Sequence, residues 1–205
     1  MAIRDVADRL AHDTTALCRN IAILTDILIE DADDPARVAD VGAQLRAKSA
    51  LLFSLVRMGR RVTQVALHSG RPEQVDLEKA VTQAILRNAG RLGGLGNRVE
   101  GTGTATVDMP MLDLALDAAL ENVGDHGPGI GTLCVRIRDG AIDLLAPADR
   151  PALEDDFAAF SGRDRKGFGG LGLWLAREVM QRQGGQAVPL DIDATTFAIS
   201  LQFKA

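Results

Sequence analysis

The sequence has no Tyr, one Trp and six Phe, so aliphatic side chains must fill any core it builds. Its two cysteines, Cys18 and Cys134, lie far apart and make neither a metal-binding nor a redox spacing. Both read as small buried hydrophobes in a reducing compartment, and a cytoplasmic location is expected. No stretch approaches the roughly 20 apolar residues of a membrane span. The opening residues MAIRDVADRL carry charges of both signs and lack the apolar region of a signal peptide. A membrane anchor or a sensor of the chain's own is therefore not expected. Positive charge is not in excess either: 23 Lys and Arg stand against 28 Asp and Glu, for a net charge of -5. Non-specific nucleic-acid binding needs the opposite balance and is excluded.

What remains is ordinary globular material, 205 residues with 46% hydrophobic and 25% charged side chains, enough for one large domain or two small ones. From about Ala2 to Ile29 there is no Pro or Gly, and the apolar positions form two interleaved series. One is Ile3, Leu10, Leu17 and Leu24; the other is Ala7, Thr14, Ile21 and Leu28. Alternating steps of four and three are the seam of a helical bundle. The run EDADDP (Glu30 to Pro35) breaks this helix, with Asp34 suited to cap a second helix and Pro35 to its first turn. That helix runs from about Ala36 to near Ser69, where Gly70 and Pro72 stop it. Such a hairpin leaves its apolar stripe half covered, so dimerisation into a four-helix bundle is expected.

After Arg71–Gln74 the pattern changes. A short extended piece and a helix over about Leu77 to Asn88 lead into the glycine-rich RLGGLGNR. Short strands are expected around Arg98 to Glu100 and Ala105 to Val107, then a helix from Met111 to about Val123, closed by Gly124 and Gly127. Alternating strands follow over Thr132 to Ile137 and Ala141 to Leu145. A helix over about Leu171 to Gln183 is entered through glycines, and Gln186 to Asp191 with Thr195 to Phe203 reads as a hairpin. The expected fold class is α+β: residues 1–70 a helical hairpin, residues 75–205 a sandwich with helices on one sheet face.

Four local features occur in a fixed order: RLAHDTTALCRNIAILTDIL on the bundle helix, QVDLEKAVTQAI, LDLALDAALENVGDHGPG, and KGFGGLGLWLAREVMQRQGGQ. Together they resemble the phosphoacceptor box, linker, N box and second glycine box of sensor histidine kinases, over essentially the whole chain. Dimeric, kinase-like histidine phosphotransferases are the nearest comparison. The resemblance implies that His12 carries phosphate, with Asp13 beside it. In the heptad frame His12 lies off the seam, on the outward face, one turn from Asp8 and Arg9, where an imidazole can meet a partner and a neighbouring carboxylate raises its nucleophilicity. The Thr or Asn and the Pro that usually follow the family's histidine are replaced by Ala16 and Leu17. The first change removes the usual support for phosphatase activity; the second predicts an unkinked helix.

For the second domain the resemblance implies a nucleotide site that uses Asn122, Gly170 and Gly172, with Glu121 ahead of the Asn as a base. A Lys usually stands where this chain has Asp125, and a carboxylate there reverses the local charge. Glycines at the mouth of the last helix let backbone N–H groups approach phosphate, and Arg163, Arg165 and Lys166 precede them. The family's Asp-x-Gly-x-Gly loop, which reads adenine, has no counterpart. Asp143 and Asp149 are the candidate acids, but Leu145 and Pro151 stand where the glycine belongs. The expected function is therefore phosphorelay through His12 between the aspartates of response-regulator receiver domains, without a cofactor or metal. Two alternatives stay open. One is an active kinase using ATP and Mg²⁺ at a divergent site; the other is a non-catalytic protein that docks a response regulator.

Overall fold

A computed structural model describes residues 2–126, 130–138, 140–148, 152–159 and 171–204, with only the backbone at 126 and 154. The chain divides into two compact units, Met1–His68 and Ser69–Ala205.

The first unit is a hairpin of α1 (Ile3–Glu30) and α2 (Pro35–Leu67). The turn between them forms as the sequence dictates. Asp34 caps α2, its carboxylate accepting from the N–H groups of Ala36 and Arg37, and Pro35 fills the first position, where no N–H is needed. Helix α1 runs unbroken past Ala16 and Leu17. Every position of the two interleaved series is buried or half-buried, with Leu10 and Leu17 sealed against α2 beside Val6. Helix α2 answers with Val41, Leu55, Val62 and Val65.

A second stripe on α1 is left in solvent: Ala11, Thr15, Cys18, Ala22, Thr25 and Ile29. It repeats at steps of four and three and carries no charge. The Thr15 and Thr25 hydroxyls donate back to the carbonyls of Ala11 and Ile21, both at 2.9 Å, so the stripe offers methyl groups and satisfied polar atoms. Cys18, expected to be buried, belongs to this exposed stripe. On α2, Phe53 is 74% exposed, and Val56 and Leu67 are exposed too.

In the second unit, β1 (Glu73–Asp76) pairs antiparallel with β3 (Thr104–Val107) as a separate ribbon. The main sheet contains β2 (Gly96–Glu100), β4 (Thr132–Arg138), β5 (Ala141–Pro147), β6 (Gln186–Pro189) and β7 (Thr196–Gln202), in the order β2-β4-β5-β7-β6. Neighbours are antiparallel except β2 and β4, which run parallel. A parallel pair needs a crossover, and α5 (Met109–His126) supplies it. The remaining helices are α3 (Leu77–Arg87), a short α4 (Ala89–Leu92) that leads into the glycine-rich run, and α6 (Leu171–Arg182); a 3₁₀ turn spans Glu154–Phe157. Alternate residues of the central strands (Leu133, Val135, Ile142, Leu144, Ile199, Leu201) join Leu112, Leu116, Leu120 and Leu175 in the core. Each element's period of two or of nearly four decides which side chains enter it.

The largest difference from the expected boundaries is at the end of α5. Helix α5 does not stop at Val123 but continues through Gly124 to residue 126. A Cβ at Gly124 would lie 2.7 Å from the Arg91 carbonyl oxygen. The glycine is there for the close approach of α4, and it does not end the helix.

Candidate functional site

The hairpin presents one chemically distinctive group on its outward face. His12 is 83% exposed and its Nδ1 lies 3.4 Å from Asp13 Oδ1. The other oxygen of Asp13 faces Arg9 Nε at 4.0 Å, one turn back. Asp13, at 27% side-chain exposure, is the least exposed of the three and forms the hinge of the group. In the tautomer that carries its proton on Nδ1, the ring can donate to this carboxylate, and Nε2 is then the nitrogen with the free lone pair. The arrangement can offer a nitrogen nucleophile and offset the positive charge that the ring gains in an attack.

The other predicted residues lie in the second unit. Asn122 sits on α5, half-buried, with no side-chain hydrogen bond among the described residues. Glu121 and Asp125 flank it, and between them stands a residue that sequence reasoning missed. Arg91 of α4 places Nη1 3.4 Å from Glu121 and 3.6 Å from Asp125. The reversed charge at Asp125 is thus offset within the protein, and Glu121 is tied into an ion pair. Arg91 belongs to an irregular glycine-rich run whose spacing gives no sign of contact with α5 some thirty residues later.

Gly172 lies in the first turn of α6, where α6 crosses α5. A Cβ there would come within 3.3 Å of the Ala118 carbonyl, one turn before Asn122. The structure therefore brings Gly172 and Asn122 to one helix crossing, and there the glycine serves packing. Gly170, Asp149, Pro151, Arg163, Arg165 and Lys166 lie outside the described residues.

Asp143 is withdrawn as a candidate reader of adenine. It sits in the middle of β5, opposite Arg136 and Ser200, not at a strand end. Both its oxygens are taken by Arg138, at 2.7 and 2.9 Å. The hydrogen bond to this carboxylate, and then its charge, hold the Arg138 guanidinium above its ordinary pKa. A comparable clamp joins α3 to α5, where Arg87 binds Asp113 and Asp117 and the buried Asn88 amide also donates to Asp117. These pairs are structural. Among the described residues, no group of three or more His, Cys, Asp or Glu could hold a metal ion, and no helix is long and apolar enough to cross a membrane.

No protein-family model matches the sequence, and no curated protein matches it significantly. Solved structures do. The Acinetobacter baumannii histidine kinase AdeS matches with a TM-score of 0.68 at 15% identity, over 94% of this chain and 97% of that one. Full-length ShkA in complex with AMPPNP matches over all of this chain and 47% of its own, with a TM-score of 0.60 and 17% identity. The mycobacterial sensor histidine kinase MprB matches 64% of this chain and 97% of its own, with a TM-score of 0.51 and 24% identity. The order of elements, the hairpin and the mixed sheet agree with what the four motifs implied: the chain has the fold of a histidine-kinase core, a two-helix hairpin followed by an ATPase-type α/β sandwich.

Proposed function

We propose that the protein is a phosphorelay histidine phosphotransferase of two-component signalling, with His12 as the phosphate carrier. The observation that carries this reading is the exposed imidazole whose Nδ1 is held by Asp13. The Nε2 lone pair attacks the phosphorus of a receiver's phospho-aspartate. The P–O bond to that aspartate breaks, and its electron pair leaves on the receiver's carboxylate. Asp13 offsets the positive charge on the ring until the Nδ1 proton is lost. The reverse sequence delivers the phosphoryl group to a second receiver. Catalysis is then mainly in-line positioning, supplied when a receiver docks on the hairpin.

The working unit is a homodimer. The uncharged stripe Ala11–Ile29 on α1 and the exposed Phe53 and Val56 on α2 are what a second hairpin would cover to complete a four-helix bundle. The second unit would be a scaffold that binds no nucleotide, because Arg91 ties up Glu121 and Arg138 ties up Asp143. Two observations favour an active kinase instead: the Asn122 amide on α5, which makes no side-chain hydrogen bond among the described residues, and the AMPPNP in the ShkA complex.

Two measurements separate the readings. Incubation with a phosphorylated receiver should move label to His12, and the His12→Ala variant should take up none; transfer that persists in that variant sinks the relay. Incubation with labelled ATP and Mg²⁺ should leave the protein unlabelled, and ATP-derived label on His12 would establish the kinase. Receiver binding without transfer would leave a docking protein.

A further inference from the structure

The hairpin changes sign along its length. Residues 26–40, around the turn, hold six acids and one Arg, whereas residues 41–69 hold five cations and no acid. The facing half of α1 is balanced, with Arg4, Arg9 and Arg19 against Asp5, Asp8 and Asp13. In a chain of net charge -5, the second half of α2 is therefore a local surplus of positive charge. Three of its cations form a row. Arg57 follows the sealed Leu55 by two positions, Arg60 precedes the sealed Val62 by two, and Arg46 precedes Leu55 by nine. At about 100° per residue, each points away from the seam. All three are exposed, and none makes an ion pair or hydrogen bond among the described residues. By contrast, Arg37, Arg87, Arg91 and Arg138 are each held by a carboxylate.

We infer that Arg46, Arg57 and Arg60 form the surface that captures a receiver by the face made acidic by its phospho-aspartate. This rests on the reading of His12 as a phosphate carrier and names what the partner meets before transfer. His12 stands 18 residues before the end of α1 at Glu30, about 27 Å from the turn at the helical rise. Arg46, Arg57 and Arg60 stand 11, 22 and 25 residues after Pro35, at about 17, 33 and 38 Å. The row thus brackets the level of His12, within about 10 Å on either side along the axis. Packed helices lie about 8–10 Å apart, and a domain of about 100 residues has a radius of gyration of about 13 Å. A receiver docked at His12 therefore reaches both helices. Its phosphoryl group brings close to two negative charges, and guanidinium groups bind carboxylate and phosphate oxygens through paired hydrogen bonds. The acidic turn repels the same partner. The field of the hairpin draws an acidic face to the level of His12 and sets its register along the helices.

Phosphotransfer to the full chain from a receiver phosphorylated with phosphoramidate tests this, followed against receiver concentration and ionic strength. From about 50 to about 300 mM salt, wild-type kcat/KM should fall about tenfold. The triple variant Arg46→Glu, Arg57→Glu, Arg60→Glu should start about tenfold lower at low salt, with the loss in KM, and lose the salt dependence. Replacing all three by Lys should retain most of the wild-type rate, and Arg57→Gln alone should show a smaller loss in the same sense. The sites are exposed, and unchanged circular dichroism would exclude a folding effect. A wild-type KM in the triple Glu variant, or a wild-type rate indifferent to salt, would overturn the inference. If receivers bind with the expected salt and charge dependence but pass no phosphate to His12, the relay fails and the docking surface stands. If transfer proceeds and charge reversal changes nothing, the inference alone fails.

Discussion

At the scale of single residues, two carboxylates that look alike in sequence have opposite duties. Asp13 is partly exposed and touches the imidazole, while Asp143 is nearly buried and spends both oxygens on Arg138. Asp13→Asn keeps an acceptor for Nδ1 but loses the charge that offsets the ring. Losing a charge-assisted bond of about 1.4 kcal/mol corresponds to roughly a tenfold slower transfer. Single-turnover transfer from a phosphorylated receiver measures it, and a wild-type rate would remove Asp13 from the chemistry. Asp143→Asn should leave transfer unchanged and lower stability by about 1–2 kcal/mol, since the exposed Arg138 can turn to water once its partner is lost. Urea unfolding reads this loss. The contact of His12 with Asp13 was legible in the sequence because its signal is local: adjacent residues, off an apolar series. Arg91 was not, because its partners lie on another helix and nothing in its own neighbourhood repeats.

At the scale of elements, legibility followed periodicity. The two interleaved series placed α1 within one residue at each end, and the Asp34–Pro35 cap fixed the start of α2. Helix α4, the parallel pairing of β2 with β4 and the run of α5 through Gly124 left no such trace. Each depends on which distant backbone comes near, and a single sequence does not encode that as a pattern. Gly124 reads as a stop signal in isolation; against the Arg91 carbonyl it is a spacer. Gly124→Ala should therefore act against expectation from helix propensity, which favours Ala by about 1 kcal/mol in a helix interior. The clash with α4 backbone dominates, and a net loss of about 1–3 kcal/mol is expected in urea unfolding. A stabilised variant would mean that α4 yields freely.

At the scale of the whole molecule, the hairpin seals few side chains for its length: Val6, Leu10 and Leu17 on α1, and Val41, Leu55, Val62 and Val65 on α2. Two helices joined by so narrow a seam are marginal alone. If a second copy covers the Ala11–Ile29 stripe, association and stability are one equilibrium. The thermal midpoint should then rise with protein concentration. Ala22→Arg, in the middle of the stripe, should give a monomer in sedimentation with a lowered, concentration-independent midpoint. A wild-type protein that sediments as a monomer at all concentrations would refute the dimer. The back-bonded hydroxyls of Thr15 and Thr25 have a further consequence. A stripe with satisfied polar groups and no charge does not discriminate between copies, so an intact chain would pair readily with a damaged one. If the dimer forms, a chain with a normal stripe and no His12 should therefore co-purify with an intact chain in mixed pairs when both are made in one cell.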